Sequence, residues 1–168
     1  MSYCNSVTDT AFIHLRGINT LKMIRCNQRT ITDAAFMHLP GIQELDMHGC
    51  NQSTITDAAF IHLKGTHTLT MGGCSQSTIT DAAFTSMGGI HSLSIFGCGQ
   101  LTSAVFAHLK GVKRLNIGSC RQLNLTYDSL EGIEWLGMFF HTPEQVQKAM
   151  SFGLPVDQIA TPTFQMCI

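Results

Sequence analysis

With 168 residues, a net charge of −1 and only 12% charged residues, the chain has the size of one ordinary domain. It carries no basic patch to suit nucleic acid and no charge run to act as a tail. No apolar run approaches the length of a membrane span.

The N-terminus, Met1-Ser2-Tyr3-Cys4, has no cationic region and no apolar stretch, so no signal peptide is expected and the protein reads as soluble and cytoplasmic. In chain order, residues 1–26 should form a partial unit. Ser2-Tyr3-Cys4 ends a strand, and Val7, Thr8, Asp9, Ala11, Phe12 and Leu15 supply a helical half. Thr30 to Cys50 spans a full unit. Thr32 is placed to cap a short helix, and Asp33 lies in the first turn, where negative charge suits the helix dipole. Phe36 and Leu39 share a helix face, Gly41 suits a left-handed exit, and Leu45 and Met47 alternate inward from a strand. Ile-Thr-Asp-Ala-Ala-Phe then restarts at Ile31, Ile55 and Ile79, a period of 24. Cys4, Cys26, Cys50, Cys74, Cys98 and Cys120 fall 22, 24, 24, 24 and 22 residues apart.

In the fifth unit Leu101-Thr102-Ser103 replaces Ile-Thr-Asp. The sixth is degenerate, with Tyr127 at the Phe position, Leu130 in the helix and Trp135-Leu136-Gly137-Met138 in the strand. Residues 141–168 break the period. Thr142, Pro143 and Gln145 read as a helix start, Val146, Ala149 and Met150 as its apolar face, and Gly153 and Pro155 as its stop. Val156 and Ile159 continue a short apolar stretch before Pro162. The expected organisation is a repeat array over 1–140 and a helical C-terminal cap over 141–168.

A period of about 20–29 residues with Leu-x-Leu-like strands indicates an α/β leucine-rich repeat solenoid: a curved parallel sheet on the concave face, short helices on the convex face, and five to six repeats. Cys50, Ile55, Thr56, Asp57, Phe60, Leu63, Leu69, Met71 and Cys74 resemble the cysteine-containing type of leucine-rich repeat, known from the substrate receptors of F-box ubiquitin ligases. The resemblance covers residues 4 to about 140. It departs from that type in its 22–24-residue units, in Phe for the helix Leu, and in lacking an F-box ahead of the repeats.

Catalytic chemistry is not expected. The Thr-Asp pairs at Thr8, Thr32, Thr56 and Thr80 have the spacing of helix caps rather than of nucleophile and base, and no phosphate loop, G-x-S-x-G or HExxH occurs. The cysteines should form a buried, reduced ladder. Without C-x-x-C or H-x-x-x-H pairs they suit no zinc site, and neither a metal nor a cofactor is expected. His14, His38, His62 and His108 repeat one helix position as surface residues. Gln28, Gln52, Gln76, Gln100 and Gln122, each two residues after a cysteine, are either a ladder bonding the loops or plain loop polarity.

The strand positions between the buried residues vary while the framework repeats, as a recognition surface requires. They nominate Lys22, Glu44, Asp46, His48, Phe96, Arg114, Trp135 and Phe139 as contacts for a protein or peptide on the concave face. The F-box resemblance implies an alternative, a substrate adaptor in ubiquitin transfer; a structural array without a ligand is the other. Val7, Phe12 and Leu15 lack a covering unit, which predicts either end-to-end self-association through the N-terminal edge or a chain that is part of a longer array.

Overall fold

The computed structural model describes residues 6–120, 122–124, 126, 128–138, 147, 151, 159 and 160. Six three-residue strands follow the repeat: β1 (Thr20–Lys22), β2 (Glu44–Asp46), β3 (Thr68–Thr70), β4 (Ser92–Ser94), β5 (Arg114–Asn116) and β6 (Trp135–Gly137). They pair in parallel in sequence order, Leu21 against Leu45, then Leu69, Leu93, Leu115 and Leu136. One open sheet with a helical return between successive strands is the architecture that the period predicts. A two-residue strand, β7 (Ile159–Ala160), extends the sheet beside β6. The sequence reading placed Ile159 in a cap and did not anticipate this strand. The predicted cap helix and Tyr127 lie largely outside the described residues.

The returns are shorter than ordinary helices. α1 (Asp33–Phe36) and α2 (Asp57–Phe60) are single α turns, the latter continued by a 3₁₀ turn. Asp9–Leu15, Asp81–Ser86 and Ser103–His108 are wholly 3₁₀. A segment that must start at a threonine cap and turn back at a glycine has room for little more than one turn, the length at which 3₁₀ geometry is common. Gly49, Gly73 and Gly97 take positive φ just after their strands; Arg25 (φ 54°) and Ser119 (φ 62°) adopt the same conformation at the equivalent position without glycine's freedom.

Rows of equivalent residues form the core between sheet and returns. Strand leucines, the Met23–Met47–Met71–Ile95–Ile117 row, the Ile31–Ile55–Ile79–Leu101 row and the phenylalanines from Phe12 to Phe106 are all buried. Phe60 and Phe84 pack with centroids 5.9 Å apart. Phe12 is fully buried, which corrects the expectation that it lies uncovered; Val7 and Leu15 are half-buried. Among the described residues, the exposed large apolar side chains lie elsewhere, at Ile13, Met37 and Ile61, one repeat position on the helical side.

Polar bonds link each unit to the next as regularly as the core does. Asp33 Oδ1 accepts from the Thr56 backbone N–H and Oδ2 from the Thr56 hydroxyl, both at 2.7 Å. That hydroxyl oxygen in turn accepts from Ala58 N–H at 3.2 Å, capping α2. Asp9, Asp57 and Asp81 hold Thr32, Thr80 and Thr102 in the same way. The sequence reading recognised the caps and missed that each aspartate belongs to the next unit's cap. The thiols of Cys50, Cys74, Cys98 and Cys120 donate to the carbonyls of Met23, Met47, Met71 and Ile95 at 2.9–3.2 Å.

Candidate functional site: the free face of the sheet

A three-residue strand with a buried central leucine turns its first and third side chains away from the core. The free face therefore carries one row of Thr20, Glu44, Thr68, Ser92, Arg114 and Trp135, and a second of Lys22, Asp46, Thr70, Ser94, Asn116 and Gly137. Lys22, Glu44, Asp46, Arg114 and Trp135 are all on it. His48 and Phe96 follow β2 and β4 by two residues, and Phe139 lies outside the described residues.

The face has three zones. At the β1–β2 end, Thr20 donates to Glu44 Oε2 at 3.4 Å, and Asp46 Oδ1 accepts from the His48 N–H just after the strand at 3.0 Å. A Cβ placed at Gly72 would stand 2.9 Å from His48 Nδ1 and 3.4 Å from Phe96 Cβ, so this glycine gives the imidazole room beside Phe96. In the middle, Thr68, Thr70, Ser92 and Ser94 are half-buried, and their hydroxyls have no hydrogen-bond partner among the described residues.

The β5–β6 end brings two predicted residues into direct contact. The Arg114 guanidinium carbon lies 5.0 Å from the centroid of the Trp135 ring, within cation–π range. Arg114 is exposed and Trp135 half-exposed. The indole lies down along its strand: a Cβ at Gly137 would meet its Cη2 at 2.6 Å and Cζ3 at 2.9 Å. Asn116, two residues along β5 from Arg114, accepts on Oδ1 from Gly118 N–H at 3.1 Å. Arg114 and Trp135 are therefore joined by the fold, whereas Glu44 and Asp46 lie three strands away.

Just before the strands the sequence reading missed a further row, Gln43, His67, His91, Lys113 and Glu134. The main-chain carbonyls of Gln43, His67, His91 and Lys113 each accept two N–H bonds from the next unit, as Lys113 O does from Glu134 and Trp135. Side chains of the row meet too. His67 and His91 stack at 4.6 Å and 8°, and Lys113 Nζ lies 3.0 Å from Glu134 Oε1. That hydrogen bond and the lysine charge hold the Glu134 carboxyl below its ordinary range. The constant offset from each strand was the available signal.

Burial pushes the Cys50 and Cys98 thiols up to about 12, and raises Cys74 and Cys120 in the same direction. Cys26, Cys50, Cys74, Cys98 and Cys120 take part in no disulfide among the described residues. Among the described residues no group of three or more His, Cys, Asp or Glu is placed to hold a metal, and no helix is long and apolar enough to cross a membrane. A cleft of about 530 Å³ opens on the helical side between Ser103, Phe106, Lys110, Asn124 and Asp128, away from the free face.

No family model and no curated protein matches the sequence. Among solved structures, the chain is similar to one in an octameric complex of Latrophilin 3, Unc5D and FLRT2, whose title assigns a leucine-rich repeat to FLRT2. The identity is 15% and the TM-score 0.46, over 96% of this chain and 68% of that one.

Proposed function

We propose that this protein is a recognition module that binds a protein or peptide on the free face of its sheet, without catalysis. The observation that carries the reading is the contrast across each strand. The inward leucines form an unbroken buried row. The outward residues change from strand to strand and retain unused capacity: four hydroxyls without a partner among the described residues and an exposed arginine stacked on a half-exposed tryptophan. A rigid scaffold that leaves polar groups half-desolvated and unbonded gains from a partner that bonds them. The absence of disulfides among the described residues fits a reducing compartment such as the cytoplasm.

The test is selection from a displayed library of random octapeptides against the full chain. Binders should be lost at least tenfold on Thr70→Arg or Ser94→Arg, which block the face, and retained on Ile61→Arg on the helical side. Binders indifferent to both blocking changes would overturn the reading. The finer reading, a ubiquitin-ligase adaptor, follows from the cysteine-type repeat resemblance. It requires a ligase subunit to co-purify with the chain while the free face stays open to peptide.

A further inference from the structure

Building on that reading, we infer that the bound segment is anchored at the β5–β6 end by an aspartate or glutamate side chain on Arg114, next to an apolar residue seated on Trp135. Arg114 has no carboxylate partner among the described residues. The nearest candidate by position, Glu134, adjoins Trp135 in sequence and is taken by Lys113 at 3.0 Å. Asn116, two residues from Arg114 on the same strand, has its Oδ1 committed to Gly118 N–H, so the free part of its amide is the NH₂ donor. Arg114 and Asn116 thus present donors, one of them charged, on a surface half-covered by an indole. The complementary ligand is an oxyanion with an apolar neighbour, and a carboxylate matches the guanidinium fork.

The same end disfavours a chain terminus as the source of that carboxylate. Capture of a terminus relies on free backbone N–H groups, and the amides nearest Asn116 are bonded: Ile117 N–H to Gly137 O and Gly118 N–H to Asn116. An acidic side chain needs no such nest. The platform is also held in place, because the Trp135 ring rests where a side chain at residue 137 would be and Arg114 lies against it. Less ordering is then required on binding.

The rest of the face gives the segment a direction. Ser92 stands beside Arg114 in register and Ser94 beside Asn116, with Thr68 and Thr70 one strand further. Their hydroxyls, without a partner among the described residues, can bond a main chain crossing the strands. Three strand spacings from Trp135 to Thr68 are about 14 Å, or about four extended residues. Glu44 and Asp46 lie beyond, so a segment with its acidic residue at Arg114 keeps that charge away from them.

The octapeptides selected above decide the matter. Resynthesised with acetylated and amidated ends, they should carry Asp or Glu within two positions of Leu, Ile, Phe or Trp. Replacing the acid by its amide, or Arg114 by Ala, should weaken binding at least tenfold, as should Trp135→Ala. An Arg114→Glu protein should reject the acidic peptide and accept its Lys counterpart. Peptides lost on Thr70→Arg but indifferent to Arg114→Glu overturn this inference and leave the binding face standing. Peptides that need a free C-terminal carboxylate overturn it as well. Peptides indifferent to all of these changes remove the binding face itself.

Discussion

The loops after Cys50 and Cys74 are two residues longer than the loop after Cys98, and the two kinds solve one problem with different side chains. In the long loops a threonine reaches back to the preceding unit: Thr54 donates to Ile31 O at 2.6 Å and Thr78 to Ile55 O at 2.7 Å. The glutamines beside them, Gln52 and Gln76, are buried with both amide atoms unpartnered among the described residues. In the short loop the extra turn is missing, and the glutamine takes over. Gln100 Nε2 donates to Cys74 O at 3.0 Å; Gln122 does the same to Cys98 O and to Leu101 O, each at 3.0 Å. Stacking therefore demands a bond between successive loops but not a particular residue to make it. A polar residue copied with the repeat can lose its role from one unit to the next: Gln28, also in a long loop, still reaches Val7 O at 3.4 Å.

The largest expected effect tests what the two loop types share. The buried thiols bond across the junction in the same way next to either loop. Their folded pKa values lie above the ordinary 9.0, with Cys50 and Cys98 at about 12. The folded state thus holds these protons more tightly than the unfolded chain. The stability they contribute is fully present below pH 9 and is lost as pH rises through 9 toward the folded values. Each such thiol removes about 1.4 kcal/mol per pH unit in that window, so urea midpoints should fall steeply between about pH 9 and 11. Alanine at Cys74 and Cys98 should each shallow the slope, to the same extent. A flat profile, or fast native labelling of these thiols at neutral pH, contradicts a buried ladder.

The second effect separates the junctions by their aspartates. Asp57→Ala removes two charge-assisted bonds to Thr80 and should cost about 2 kcal/mol by chemical denaturation, a partly exposed case of the usual range. At the last junction Ser103 stands where the earlier units have aspartate, and its hydroxyl accepts one bond, from Asn124 N–H at 2.7 Å. Ser103→Ala should cost about half as much. Equal losses would mean that the aspartate adds nothing beyond an ordinary hydrogen bond.

Periodicity made the framework legible. A residue that recurs every 24 positions meets its own copy in the next unit, so the buried leucines, methionines, phenylalanines and cysteines could be read from one unit. The Thr caps were legible for the same reason, being local to one helix. The Asp-to-Thr bonds were not, because they run 23 residues forward and only the stacking brings the two together. His67 on His91, and Lys113 on Glu134, were missed likewise. On the free face, alternation named Arg114 and Trp135 as outward-facing, but the contact between them depends on Gly137, whose missing Cβ lets the indole lie down. The Gln28–Gln122 row left both readings open, and the structure divides it: Gln28, Gln100 and Gln122 bond the preceding unit, whereas the amides of Gln52 and Gln76 have no partner among the described residues.

That division gives the smallest and most discriminating prediction. Gln100→Leu deprives Cys74 O of its donor and leaves a part-buried carbonyl unsatisfied, which should cost about 1–2 kcal/mol. Gln76→Leu removes an amide that is 8% exposed and bonds nothing among the described residues. A buried amide without a partner has already lost its hydration, and leucine fills most of its volume. The change should therefore be neutral or stabilise the fold by up to about 1 kcal/mol, and Gln52→Leu should behave alike. The two glutamines occupy one repeat position in loops of different length, so the comparison isolates the effect of the two added residues. If Gln76→Leu costs as much as Gln100→Leu, the Gln76 amide has a partner in solution. An ordered water between the stacked long loops would serve, since two facing amides, Gln52 and Gln76, offer it donors and acceptors together. The glutamine position would then be bridged by water in the long loops, beside their threonine bonds, and directly by Gln100 in the short one, so the contrast at that position would be one of bonding partner rather than of bond count.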